Sequence, residues 1–197
     1  MTRPRIIGLT GSIGMGKSTV AAMFEAAGIP VFDADAEVRR MQGPDGELLE
    51  AIEAAFPSTT GPNGVERETL GAQVFGKPEA LARLEAIVHP AVARSRVAFL
   101  EKHEDAPFVI FDIPLLFEKG GHKAVDIVLV VSAPADVQRQ RVLARPGMTP
   151  EKFAQILALQ TPDAEKRVRA DHVIDTGVSL EETRSAVARL IEEWTEG

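Results

Sequence analysis

The chain has 197 residues, 45% apolar and 26% charged, the make-up of one ordinary globular domain rather than of a disordered or fibrous chain. Its 29 acidic against 22 basic residues give a net charge of −7, the wrong sign for a long track of nucleic-acid phosphates, so any basic site must be local. The chain has no cysteine, which excludes disulfides, zinc–thiolate sites and thiol nucleophiles, and no apolar run approaches the roughly 18 residues of a membrane span. The opening Met1-Thr2-Arg3-Pro4 does not read as a secretory leader, and an intracellular address is permitted.

In chain order, residues 6–9 form a short apolar, β-rich run ending at Thr10-Gly11, which predicts a strand buried on both faces. A helix is predicted over about 18–27, closed by Gly28, then a second strand through Val31-Phe32 into Asp33-Ala34-Asp35, with a helical stretch after it. Strand, helix, strand in this span is a βαβ unit. Residues 108–111 and 127–131 predict two further strands, and 172–174 a weaker fifth. Ser179 and Glu182 form a capping box for a last helix reaching Trp194. The pattern predicts a doubly wound α/β sheet of five parallel strands covered on both faces, in one domain spanning the chain.

Two excursions interrupt this alternation. About 41–107 is too long for a crossover helix and predicts an inserted helical lobe, with a Pro/Gly-rich loop over 57–64. A long helix from Pro78 is expected to bury Leu81, Leu84, Val88 and Val92 and to be kinked or interrupted by Pro90. A second excursion, about 145–160, opens on the helix-breaking Pro146-Gly147 and predicts a short mobile lid.

Gly11-Ser12-Ile13-Gly14-Met15-Gly16-Lys17-Ser18 matches G-x-x-x-x-G-K-[ST] between a predicted strand and a predicted helix. Such a loop turns successive N–H groups of residues such as Ser12, Ile13, Gly14, Met15 and Gly16 toward phosphate oxygens, with the helix dipole behind them. Lys17 would reach the β- and γ-phosphates of a nucleoside triphosphate, and Ser18, followed by Thr19, would ligate Mg²⁺. The G-domain guanine motif needs an Asn-Lys-x-Asp strand end, yet Asn63 is the sole asparagine and lies in the Pro/Gly loop. Asp112 is followed by Ile113-Pro114, so the hydrolytic glutamate of an ATP-driven motor is missing. A small-molecule kinase fits best.

A kinase needs a group beside the acceptor hydroxyl and cations over the migrating phosphoryl. Asp33 and Asp35, at i and i+2 of an extended strand end, would point to one side, though either could simply cap the next helix. Arg141 and Arg145 are one helical turn apart and share a face with Gln138, at the mouth of the predicted lid, where guanidinium groups would neutralise charge and help exclude water. His89 lies on an apolar stripe, where a lone histidine is more often a packing residue. Pro114, Leu115, Leu116 and Glu118 follow the third strand as either core or an apolar platform for an acceptor.

Taken together these residues resemble the dephospho-coenzyme A kinases, P-loop NTPase-fold enzymes, over nearly the whole chain. The likeness rests on Gly8 to Ser18, Asp33-Ala34-Asp35, His89-Pro90, Pro114-Leu115-Leu116-Phe117-Glu118, Gln138/Arg141/Arg145, Gln160, and Ala170 to Ile174. The resemblance implies transfer of the γ-phosphate of ATP, with Mg²⁺, to the 3′-hydroxyl of the ribose of dephospho-coenzyme A. It implies Lys17, Asp35 and Arg141 as catalytic residues, and residues 11–19 with Arg145 as the nucleotide site. It also makes Asp33, His89, Pro114, Leu115, Leu116 and Glu118 acceptor contacts, and the cytoplasm the expected location. The chain departs from the family at Ser12, where many members have Gly, and at Thr176, where many have Asn. Two alternatives stay open: a kinase of another nucleoside-like or small hydroxyl acceptor, and an ATP-binding regulator without turnover.

Overall fold

The computed structural model describes residues 3–196; Met1 and Thr2 of the opening segment lie outside the described residues. The chain divides into two compact units, one built from the chain up to Phe32 and from His103 onward, the other from Asp33–Lys102.

The first unit is organised on a five-stranded sheet. Its strands are β1 (Arg5–Thr10), β2 (Val31–Asp33), β5 (Phe108–Asp112), β6 (Ile127–Ser132) and β7 (His172–Asp175), in the spatial order β2-β5-β1-β6-β7. β1 pairs in parallel with β5 (Ile7 opposite Ile110) and with β6 (Leu9 opposite Leu129), and β6 pairs in parallel with β7 (Val131 opposite Ile174). The near-continuous apolar strands follow from burial on both faces. Leu129 and Val131 of β6 pack with Ile7, Leu9, Val20, Phe24 and Trp194 in one core, whereas Val128 and Val130 pack with Leu116 and Phe117 in another. The Trp194 indole stacks on Phe24 at 6.1 Å and meets the edge of Phe108 at 5.4 Å.

Two aspartates set strand register. Asp126, just before β6, donates its N–H to the Ile6 carbonyl (2.8 Å) while its carboxylate accepts the Ile6 N–H (2.7 Å). Asp171, just before β7, repeats the pattern with Val128 at 3.0 and 2.7 Å. Each carboxylate extends the ladder by one bond where the backbone alone would end it.

The helices of this unit are α1 (Lys17–Ala26), α6 (Ala135–Leu143), α7 (Pro150–Ala158), α8 (Asp163–Arg169) and α9 (Leu180–Glu196). The capping box predicted for α9 forms, with the Glu182 N–H donating to Ser179 Oγ at 3.2 Å and the Ser179 N–H to Glu182 Oε2 at 3.0 Å.

The second unit holds α2 (Ala34–Met41), α3 (Leu49–Ala55), α4 (Arg67–Val74), α5 (Pro78–Lys102) and a hairpin of β3 (Thr60–Gly61) and β4 (Gly64–Val65). The unit begins at Asp33 rather than near residue 41, because α2 belongs with α5, Ser95 Oγ donating to Glu37 at 2.6 Å. Its core is Met41, Leu48, Ile52, Phe56, Leu70 and Ala91. The hairpin, expected as plain loop, is held by Glu53, whose carboxylate accepts N–H groups of Ser58 and Thr60 at 2.6 and 3.0 Å.

Helix α5 runs unbroken for 25 residues through Pro90, contrary to the expected interruption. Pro90 and Ala86, whose carbonyl loses its usual donor, are both exposed, so water can satisfy that carbonyl. The buried stripe also differs: Ala80, Leu84, Ile87, Val88 and Ala91 face the core, while Leu81 is exposed. His89 is exposed as well and is not a packing residue.

Candidate active site

The phosphate loop lies between the end of β1 and α1, as expected. Gly14 (φ +79°) and Gly16 (φ +82°) hold the left-handed conformations that let the chain curl, and a Cβ on Gly14 would fall 2.4 Å from Val142 Cγ2 of α6. Gly16 is the N-cap of α1, so the helix presents its first N–H groups with no side-chain cap. Residues 11–19 line a cleft of about 380 Å³ together with Pro114, Arg145, Ile156 and Gln160. An adjoining cleft of about 360 Å³ is lined by Gly14, Gly16, Thr19, Arg141, Arg145, Thr176, Leu180 and Thr183.

The Lys17 ammonium forms an ion pair with the Asp112 carboxylate at the end of β5. Asp112 is buried and Lys17 largely so, so the pair is held with little access of bulk water.

Three polar side chains fasten the loop from outside. Gln138 of α6 donates Nε2–H to the Ile13 carbonyl at 2.8 Å, and Gln160, after α7, accepts the Ile13 N–H at 3.1 Å. Thr176, just past β7, donates Oγ1–H to the Met15 carbonyl at 2.8 Å. The same Thr176 accepts Arg141 Nη1–H at Oγ1 (3.2 Å) and Nη2–H at its carbonyl (2.6 Å). Arg141 is therefore docked on the unit through Thr176. Arg145 is not helical: α6 ends at Leu143, Ala144 is its C-cap, and Arg145 sits in the turn that follows. The two arginines reach the same cleft from different backbone contexts, not from one helix face. α7 starts afresh at Thr149, whose Oγ1 accepts the Lys152 N–H at 3.3 Å.

The segment after β5 divides. Pro114 lines the phosphate cleft and Leu115 is half-buried, but Leu116 has no exposure and belongs to the core with Val128 and Val130, so it offers no surface to an acceptor. The Glu118 carboxylate faces inward, accepting the Thr161 N–H at 2.8 Å and lying 3.0 Å from the ammonium of Lys166. Burial pushes its carboxyl up, yet the hydrogen bonds from its own N–H and from Thr161, with the Lys166 ammonium beside it, win, and the net shift is downward.

In the second unit Asp33 and Asp35 take different roles. The helix begins at Ala34, two residues earlier than an extended Asp-Ala-Asp would allow, so the alternation argument fails. Asp33 is the N-cap, accepting the Ala36 N–H at 2.9 Å, and lies 3.7 Å from Arg39. Asp35 is exposed in the first turn, and His89 is exposed on α5.

Sequence reasoning placed Lys17, Ser18 and the loop glycines directly. It gave no structural role to Gln138, Gln160 or Thr176, which contact backbone atoms of the loop. Their signal was positional only: a glutamine one turn before Arg141, another just before a helix start, and a threonine just after a strand.

A family model described as dephospho-CoA kinase matches residues 5–182. A dephospho-CoA kinase of Novosphingobium aromaticivorans is 70% identical over 191 residues, covering 97% of this chain and 95% of the relative. Among solved structures, a protein from Thermus thermophilus superposes with a TM-score of 0.81 at 40% identity, covering 98% of each chain. A dephospho-CoA kinase from Campylobacter jejuni shares the fold at a TM-score of 0.70 and 23% identity, covering 98% of this chain and 99% of its own. A match that starts at the first residue of β1 and reaches into α9 leaves no strand of the sheet outside it, and this chain belongs to the dephospho-CoA kinase family.

Proposed function

We propose that this chain transfers the γ-phosphate of ATP to the 3′-hydroxyl of the ribose of dephospho-CoA, giving CoA and ADP. The observation that carries this reading is the phosphate cleft of residues 11–19, in a chain whose likeness to dephospho-CoA kinases covers 97% of its length. In the transfer the acceptor oxygen forms a bond to the γ-phosphorus, the bond to the β–γ bridging oxygen breaks, and ADP leaves with the electron pair.

Lys17 exchanges Asp112 for the β- and γ-phosphates, and N–H groups of the loop cradle the same oxygens. The Ser18 hydroxyl and the Asp112 carboxylate are hard oxygen donors suited to Mg²⁺, which takes few protein ligands beside substrate phosphates and supplies charge neutralisation there when bound. Arg141 and Arg145 spread positive charge over the triphosphate, and the segment of about 145–160 serves as the lid, its far end tied to Ile13 through Gln160. Asp35 takes the proton of the acceptor hydroxyl; Asp33, His89, Pro114 and Leu115 contact the acceptor. The proposed location is the cytoplasm, and among the described residues no helix is long and apolar enough to cross a membrane.

The test is ADP release and product mass with ATP and Mg²⁺, comparing dephospho-CoA, other nucleosides, small polyols and no acceptor. CoA and ADP formed in equal amounts with dephospho-CoA alone is the expected result. Equal turnover of another hydroxyl acceptor would move the substrate assignment, and nucleotide binding with no ADP from any acceptor would make the chain a regulator.

A further inference from the structure

Lys166 of α8 has no solvent exposure, and its ammonium lies 3.0 Å from Glu118 Oε1. The Lys166 ammonium has this ion pair but no hydrogen-bond partner, and the other Glu118 oxygen, Oε2, is likewise buried without one, as is Oδ1 of Asp163 at the start of the same helix. Asp163 uses its second oxygen to accept Ser132 Oγ–H at 2.7 Å, at the end of β6. Stability alone is a poor reason to keep such an arrangement, because replacing a buried ion pair by apolar residues of similar volume is often neutral or stabilising. The pair is better explained by what Glu118 holds. Its Oε1 also accepts the Thr161 N–H. Thr161 follows Gln160, which accepts the Ile13 N–H, while Gln138 donates to the Ile13 carbonyl. Both backbone groups of the third residue of the phosphate loop are thus occupied by side chains from separate elements.

We propose that Glu118 and Lys166 are positioning residues for nucleotide binding and phosphoryl transfer: the buried pair fixes Thr161, and through it the grip of Gln160 on Ile13, so the phosphate loop is already curled when ATP arrives. This inference deepens the proposed kinase reading and rests on it. The ammonium fixes the carboxylate, the carboxylate fixes the turn between α7 and α8, and the turn fixes one end of the loop's hydrogen-bond pattern. A loop so held spends less binding free energy on ordering itself around the phosphates.

The experiment compares two neutral pairs, Glu118→Leu with Lys166→Met and Glu118→Gln with Lys166→Met. Each removes both charges, but only the Gln pair keeps an oxygen for the Thr161 N–H. Thermal melts, affinity for a non-hydrolysable ATP analogue, and kcat and KM with dephospho-CoA are read for each. The Leu/Met pair is expected to melt close to wild type yet to bind the analogue about tenfold more weakly and to lose at least as much in kcat/KM for ATP; the Gln/Met pair recovers most of both. Gln160→Ala, which leaves the buried pair intact, is expected to reproduce the loss and to add nothing to the Leu/Met pair. Analogue affinity and kcat/KM within twofold of wild type in the Leu/Met pair, or no recovery in the Gln/Met pair, overturns the proposal. Should the buried variants fail to fold, wild-type affinity and kcat/KM in Gln160→Ala overturns it by itself. Absence of wild-type turnover with dephospho-CoA would defeat the kinase reading instead, and the analogue affinities would still judge this one.

Discussion

In the sheet unit, polar side chains bridge elements far apart in sequence: Lys17 reaches Asp112, Gln138 and Gln160 reach Ile13, and Thr176 reaches Met15. In the helical unit several close short local turns, Glu53 onto Ser58 and Thr60, Asp33 onto Ala36, Glu37 onto Arg40. The first kind of contact can form only once the whole sheet is assembled, and it then fixes the loop proposed to receive a highly charged ligand. The second fixes helix starts and a hairpin and leaves Asp35 and His89 exposed. Preorganisation of charge is concentrated in one unit, while the other presents its candidate groups to solvent.

The contrast is broken most directly at Lys17. Lys17→Ala is expected to lower kcat by about a thousandfold or more, since it removes the cation aimed at the transferring phosphates. It also takes from Asp112 the ammonium beside it, so the melting temperature should fall, and adding Asp112→Asn should restore the melt without restoring activity. A Lys17→Ala protein with near-normal ADP release would remove the loop from the mechanism. Next in size is Phe56→Ala in the helical unit. Phe56 is fully buried, with the Arg83 guanidinium 4.6 Å above its ring, and its loss should cost about 3–5 kcal/mol. Hydrogen exchange should localise that loss to Asp33–Lys102, with affinity for an ATP analogue unchanged. If the affinity falls in parallel, the two units are not separable in the way their contacts suggest.

The sheet was legible because burial on both faces leaves apolar runs such as Ile6 to Leu9 that turn signals bound cleanly. The phosphate loop was legible because G-x-x-x-x-G-K-[ST] between a strand and a helix is a rare pattern, and its glycines take the left-handed turns at Gly14 and Gly16. The Asp33/Asp35 geometry was misread because one helix start, shifted by two residues, converts an alternating pair into a cap and a helical side chain. Of the kink or interruption expected at Pro90 the interruption does not occur, because its cost depends on whether the orphaned carbonyl faces water, which sequence does not state. Leu116 could not be separated from Leu115 by composition, since an apolar residue after a strand end is core or surface according to where the chain turns. Gln138, Gln160 and Thr176 were invisible as fasteners because their partners are backbone atoms, which carry no sequence signature.

Arg141 sharpens the comparison on a smaller scale, because it is the proposed catalytic cation that a protein partner, Thr176, fixes in place. Arg141→Lys keeps the charge but cannot serve the Thr176 carbonyl and hydroxyl with a planar fork. We expect kcat to fall about 10- to 100-fold with KM for ATP changed by less than about threefold, as for an interaction strongest in the transition state. An equal rise in KM with kcat unchanged would make Arg141 an ordinary nucleotide-binding residue.

The smallest expected effect is at Asp126, which joins two interior strands of the sheet unit. Asp126 holds β6 to β1 through the Ile6 N–H and receives two bonds from Arg3, at 2.7 and 2.8 Å. The Arg3 hydrogen bond foremost, then the Ile6 N–H, outweigh the opposing effect of burial and keep the Asp126 carboxyl below the ordinary aspartate range. A carboxyl that is more acidic folded than unfolded stabilises the fold above its unfolded value, and that contribution disappears as pH falls through the lowered one. Asp126→Asn should therefore melt below wild type at neutral pH, and the gap should narrow on acidification. Salt should shrink only part of the gap, because the Arg3 pair is solvent-exposed and screened whereas the Ile6 bond is local to the ladder. A gap that is constant from neutral to acidic pH would mean that side-chain shape, not charge, sets this register, and kcat in Asp126→Asn should stay at the wild-type value throughout.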